Sequence, residues 1–309
     1  MKKKHCLIVC LFILAGCNGS NGPKYRRIAL DNSLLWEISG NGLSSPSYLF
    51  GTDHLTGANF LDSLPWVMLR FKQCKAVACE VDIDSGKTES LHHVFLKNDS
   101  LSNLFSKNEF DEIDKCMLRY MPFSLLKFNR LKPVYAYNKL SNTVLEHTTS
   151  QENRVLDWYF HDEGKRLGYK NLALDPVKFH DSLLYDAPLD IQKKQLLYLV
   201  RHIKQMQDSR HRMFKLYHEQ NLTGLEKHLN AGEVFTDSRL DFVLRYRDLM
   251  WLRELPAIMK QQPTFIAVGA GHLLWDCGLI NQLRLKGYTV KPVTNNTASP
   301  TSPFRGSGC

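Results

Sequence analysis

Short apolar runs of strand length stand towards both ends of this chain, and stretches with helical spacing fill its middle. Leu34 to Ile38 and Tyr48 to Gly51 flank a polar Gly/Ser/Pro-rich segment, 40–47, which predicts an antiparallel hairpin. Over 62–74, Leu64, Val67, Met68 and Phe71 recur on one helical face. AVACEVDI at 76–83 is an apolar run that acquires acids at its end and predicts a buried strand. Helices are expected over 108–120, 133–147, 154–167, 192–207, 210–230 and 239–260, with a short strand at 171–174. The chain then returns to strand at 264–268 (TFIAV), helix at 273–286 and strand at 288–292. This order predicts an α/β fold. A mixed central sheet is drawn from both ends of the chain, covered by helices, with a large mid-chain helical insertion. Residues 31–293 form that single domain, and the Asn/Thr/Ser/Pro-rich stretch 294–309 is expected to be a disordered tail.

The first seventeen residues change the picture. Lys2, Lys3 and Lys4 precede an apolar run from Cys6 to Leu14, followed by Ala15-Gly16-Cys17. A basic start, a short apolar stretch and small residues before a cut describe a secretory leader, and the run is too short to span a bilayer. LAGC matches a bacterial lipobox, so cleavage before Cys17 and lipidation of its sulfur are expected, with 18–30 as a flexible tether. The expected location is an exported, membrane-anchored lipoprotein at the periplasmic face or cell surface. The formal charge is +9, from 40 Lys+Arg against 31 Asp+Glu. Three of the excess positives lie in the leader, so the remainder is only mildly basic and no nucleic-acid partner is indicated. Cys74, Cys79, Cys116, Cys277 and Cys309 follow Cys17 with no CxxC pair and no metal spacing.

One short internal echo carries the chemistry. YLFGTDH ending at His54 and FIAVGAGH ending at His272 share a form: apolar strand, Gly, two residues, His. Gly51, Gly269 and Gly271 permit the tight turn after each strand. Each His then projects past the carboxyl end of its strand, where open α/β sheets bind ligands. Two imidazoles delivered in one local frame suit a shared metal. Glu80, inside the apolar run 76–83, is costly to bury unless paired or bound to a cation. Arg247 and Trp251 lie one turn apart on the helix leading into the second His strand, and an arginine there suits a carboxylate or a developing oxyanion. The basic stretch 201–215 reads as a solvated helix face.

LLWEISG at 34–40, YLFGTDH at 48–54, VACEVD at 77–82, Arg247 with Trp251, FIAVGAGHL at 265–273 and GLINQLRLKGYTV at 278–290 resemble the TraB/GumN family, which includes the Tiki-type proteins of animals. The resemblance runs over nearly the whole of the chain after the leader. It implies a fold akin to the erythromycin-esterase and ChaN-like proteins. It also implies a metal-dependent peptidase whose centre is formed by His54, His272, Glu80 and Arg247. The chain departs from the family pattern at Asp248, where Asn is usual, at Asp175, where Glu is usual, and at Asp53, usually apolar.

The expectation is therefore an exported metal-dependent hydrolase acting on a peptide or protein. His54, His272 and Glu80 would hold a divalent ion (zinc, manganese or cobalt). Arg247 would stabilise the oxyanion, and Asp53 and Trp251 would meet substrate. The general base is Asp53 or Glu80, and Glu80 cannot be both base and ligand. The alternative is a non-catalytic lipoprotein that captures a peptide, haem or a metal at the same strand edge. His272 is expected to be only partly buried, so its truncation should cost about 1 kcal/mol or less.

Overall fold

The computed structural model describes residues 30–82, 84, 93–231 and 242–295. The leader, Cys17, nearly all of the tether and most of the tail lie outside the described residues. The expected hairpin is present as β1 (Leu35–Ser39) and β2 (Ser47–Thr52), paired antiparallel with Leu35 opposite Phe50. Its turn runs through Gly40 and Gly42, at φ of +76° and +79°, with Asn41 between them at +46°, a backbone region that favours glycine and, among the other residues, asparagine. Helix α1 (Pro65–Phe71) opens with a proline at its first position, where no N–H is needed. It leads to β3 (Ala76–Val81), the buried strand that carries Glu80.

A helical segment follows: α2 (Leu101–Leu104), α3 (Lys107–Tyr120), α4 (Pro133–Val144) and α5 (Leu156–Arg166). A reciprocal box starts α3, where Ser106 accepts from the Glu109 N–H and Glu109 accepts from the Ser106 N–H. Strand β4 (Lys170–Asp175) comes next, then α6 (Val177–Tyr185), α7 (Leu189–Arg201), α8 (Ile203–His218) and α9 (Leu222–Asn230). A π-turn over Phe242–Tyr246 runs into α10 (Arg247–Gln261), and the chain ends in β5 (Thr264–Gly269), α11 (Leu279–Leu285) and β6 (Thr289–Pro292).

The strand order is β4-β3-β5-β2-β1-β6. β4, β3, β5 and β2 pair in parallel, and β1 is antiparallel to both of its neighbours. The sheet is thus mixed and built from both ends of the chain, as expected. β5 lies between β2 and β3, with Thr52 opposite Gly269 and Cys79 opposite Ala267. This register puts the ends of both Gly-x-x-His strands side by side, with the Glu80 strand on the other flank of β5. Helix α5 packs on β3, β4 and β5. There Phe160 meets Phe50 and Phe265 at ring-centroid distances of 5.3 and 4.8 Å, and Phe71 meets Phe265 at 5.0 Å. Burial of each such ring is worth about 1.5–3 kcal/mol, so this cluster fixes the platform from which the site projects.

Three expectations need correction. The two helices expected over 192–207 and 210–230 are three. The break at His202 has no Gly or Pro to announce it, and the second falls at Gln220, with φ +55°, where Asn221 caps α9 by accepting from the Gly224 N–H. The helix expected over 273–286 is confined to 279–285, because 270–273 forms a short 3-10 turn that seats His272. Helix α6 lies where no element was expected. Among the described residues Cys74, Cys79 and Cys116 are free thiols, and Cys79 is buried within β3.

Candidate functional site

Three adjacent strands deliver the expected residues to one edge of the sheet. His54 follows β2 by two residues, Glu80 is the penultimate residue of β3, and His272 sits in the 3-10 turn after β5. Both imidazoles are oriented by buried aspartates. His54 Nδ1 lies 3.0 Å from Asp157 Oδ2, while Asp157 Oδ1 accepts from the Thr52 hydroxyl at 2.8 Å. His272 Nδ1 lies 2.7 Å from Asp248 Oδ1. A carboxylate behind Nδ1 fixes the ring and leaves Nε2 to face outward, the usual support of a metal-binding histidine. Asp157 comes from α5 and Asp248 from the first turn of α10, so two helices aim two loop residues.

Gly269 forms the floor between them. A Cβ there would lie 3.2 Å from Glu80 Oε1, 3.7 Å from His54 Nε2 and 3.9 Å from His272 Cδ2. The missing side chain leaves a small cradle bounded by two imidazoles and a carboxylate. Gly51 is also demanded by a close approach, since a Cβ would meet Ala270 and Leu273 at 3.1 Å. Gly271 is not: its nearest neighbour would be Leu244 at 3.6 Å, an ordinary contact.

The charge balance of the cradle favours a cation. Burial disfavours charge on His54, but Asp157, Glu80 and Asp53 outweigh it and carry its pKa up to about 9. Burial would likewise push Glu80 up, yet Arg247, His272, His54 and the Gly269 N–H hold it well below the usual carboxylate range. An ion bound at His54 would replace the proton that these acids retain there. The donor set and the cradle fit a divalent cation. The three donor atoms are not gathered within 4.8 Å of one another, however, so the expected three-ligand centre is not closed. Among the described residues the atoms that are so gathered belong to Asp82, Asp84 and His161, where Lys165 already pairs with Asp84 at 2.6 Å.

Arg247 explains the openness. It is 3% exposed and organises the wall of the site. Its Nη2 donates to Glu80 Oε2 at 2.6 Å, its Nε to Asp175 Oδ2 at 2.8 Å, and its Nη1 lies 3.1 Å from His272 Nε2. A cation on His272 Nε2 must displace that last hydrogen bond. Glu80 Oε1 accepts from the Gly269 N–H at 2.7 Å, so both carboxylate oxygens of Glu80 have partners. A carboxylate so firmly ionised is a weak proton acceptor, which argues for Glu80 as ligand rather than base.

Two expected substrate contacts are placed elsewhere. The Asp53 carboxylate is gripped by Arg210, with Nη2 at 2.7 Å and Nη1 at 3.2 Å, and accepts from the Thr56 hydroxyl at 2.6 Å. Arg210 therefore does not lie on a solvated helix face as expected; it is 2% exposed. Despite its burial, Asp53 is held below the ordinary carboxylate pKa by this arginine, so it is not poised as a base. Trp251 is 1% exposed, donates its indole N–H to Asp175 at 2.7 Å and stacks beneath Arg247 and beside His272. It supports the site and is closed to substrate.

Sequence reasoning missed Asp157, Arg210 and the pairing role of Asp175 and Asp248. Asp157 precedes Trp158 in an ordinary amphipathic helix, and Arg210 sits in a run of charges, so neither carried a local signal. Asp175 and Asp248 were visible only as departures from the family pattern.

No curated protein and no solved structure matches the chain. The TraB/PrgY/gumN family profile matches residues 34–292, from the start of the hairpin to the last residue of β6. The chain therefore belongs to the TraB/PrgY/gumN family.

Proposed function

We propose that this protein is a metal-dependent hydrolase of peptides, exported and held at a membrane by lipid on Cys17. The observation that carries the reading is the convergence of His54, His272 and Glu80 around the side-chain-free floor at Gly269, each imidazole backed by a buried aspartate. His54 Nε2, His272 Nε2 and one Glu80 oxygen would hold the ion. When bound, a divalent ion lowers the pKa of a coordinated water and polarises an acyl oxygen.

The chain's own residues supply the rest. Asp157 and Asp248 keep the two rings in fixed orientation, and Glu80 contributes negative charge that stays ionised across the physiological range. The Arg247 guanidinium is held beside the site by Glu80 and Asp175 even when its contact with His272 is displaced, and there it favours negative charge that develops next to it. The test uses the full-length protein in detergent micelles with a mixed peptide library. Cleavage that requires added Mn²⁺, Co²⁺ or Zn²⁺ and stops with chelator supports the reading. Peptide binding without cleavage under every metal would move the assignment to a capture protein.

A further inference from the structure

A third imidazole stands at the same strand edge. His180 lies in the first turn of α6, which begins two residues beyond the end of β4. Two sets of contacts bracket that turn against the site. On one side Asp175 accepts from Arg247 and from Trp251; on the other the Phe179 ring lies 6.0 Å from that of Tyr246, the residue before Arg247. The His180 ring is half-buried and feels the charges of Arg247, Glu80 and His54.

What distinguishes His180 is that its ring is unused. The other described histidines each place a ring nitrogen within hydrogen-bond distance of a carboxylate, hydroxyl or carbonyl oxygen. His180 has no side-chain hydrogen bond among the described residues, although Arg247, Glu80 and His54 are close enough for their charges to act on it. Its nitrogens are not sealed in the interior: the ring is only half-buried, so they stay open to solvent and to a ligand at this edge. Burial, and then the Arg247 charge, hold its pKa down at about 3, so it is an uncharged donor and acceptor at neutral pH.

We propose that His180 is a substrate-contacting residue of this site, hydrogen-bonding an uncharged amide or ester group of the bound substrate. An uncharged partner is inferred because a neutral imidazole offers a hydrogen bond and no charge of its own. This rests on the hydrolase reading for the identity of the reaction, but not for the contact itself.

The experiment uses full-length protein in micelles, with His180→Ala and His180→Gln, the mixed peptide library and Mn²⁺. Loss of one substrate hydrogen bond should lower kcat/KM by about tenfold in the alanine variant. The glutamine amide should restore part of that loss, and bound metal and melting temperature should not change. Unchanged kcat/KM in His180→Ala overturns the proposal. If the wild-type protein cleaves nothing under Mn²⁺, Co²⁺ or Zn²⁺, the hydrolase reading fails and the contact is judged by NMR of the histidine rings. A His180 signal that moves on addition of the library, and whose loss in His180→Ala weakens binding, sustains the contact; a signal that does not move overturns it.

Discussion

Truncating His272 to alanine tests how the second Gly-x-x-His element is built. The sequence placed this ring at a loop edge, partly buried, with little to lose. In the folded chain it is 2% exposed, and so is Asp248, the carboxylate bound to its Nδ1. Alanine removes the N–H that partners Asp248, the acceptor facing Arg247 Nη1, and the ring contact with Trp251 at 4.4 Å. A buried polar group left without its partner costs about 1–3 kcal/mol, and the aromatic contact adds about 0.5–1.5. The expected loss is about 2–4 kcal/mol, which for a domain of this size lowers Tm by about 4–15 °C. The pH dependence identifies the cause. Burial raises Asp248 to about 6 even with His272 pairing it, and without the ring it rises further. An acid whose folded pKa is raised destabilises the fold as pH climbs from its unfolded value of about 3.9 through its folded one. The gap between variant and wild type should therefore widen from pH 5 to pH 8. Adding Asp248→Asn should narrow the gap at pH 8. A variant that melts within about 1 °C of wild type at both pH values would refute the buried-pair reasoning.

His54, with its pKa near 9, must release a proton to bind an ion, so apparent Mn²⁺ affinity by calorimetry should rise about tenfold per pH unit from pH 7 towards pH 9; a flat profile would argue against His54 as ligand. Arg210→Ala leaves Asp53 buried without its cation and should cost about 3–5 kcal/mol in denaturant melts, with Arg210→Lys intermediate, whereas a loss below about 1 kcal/mol would mean that Asp53 finds solvent. Cys17→Ser should move the protein from the membrane pellet to the soluble fraction and abolish lipid labelling; an unchanged pellet contradicts the anchor.

The sheet was legible because its strands are short apolar runs with clear punctuation: TFIAV at 264–268 and AVACEV at 76–81 need nothing distant to be recognised. His54, Glu80 and His272 were legible for a related reason, since a duplicated Gly-x-x-His and an acid in an apolar strand are local anomalies, whereas Arg247 entered the site through the family resemblance. The partners of those residues were not. Arg210 meets Asp53 across 157 positions, and Asp157 meets His54 across 103, so no local pattern records either pairing. Helix α6, and with it His180, was overlooked because it is one short helix behind Pro176 with a mixed face. Conversely, Arg201-His202-Ile203 carries no Gly or Pro, so the helical spacing runs through the break at His202 without a local signal.

The central claim is that His54, His272 and Glu80 share one metal ion. Anomalous diffraction from crystals of the protein soaked in Zn²⁺ or Mn²⁺ tests it most directly. The account predicts a peak about 2.0–2.2 Å from both His54 Nε2 and His272 Nε2, adjoining Glu80, with Arg247 Nη1 withdrawn from His272. A peak confined to Asp82, Asp84 and His161, or an undisturbed Arg247–His272 hydrogen bond in metal-soaked crystals, would contradict it.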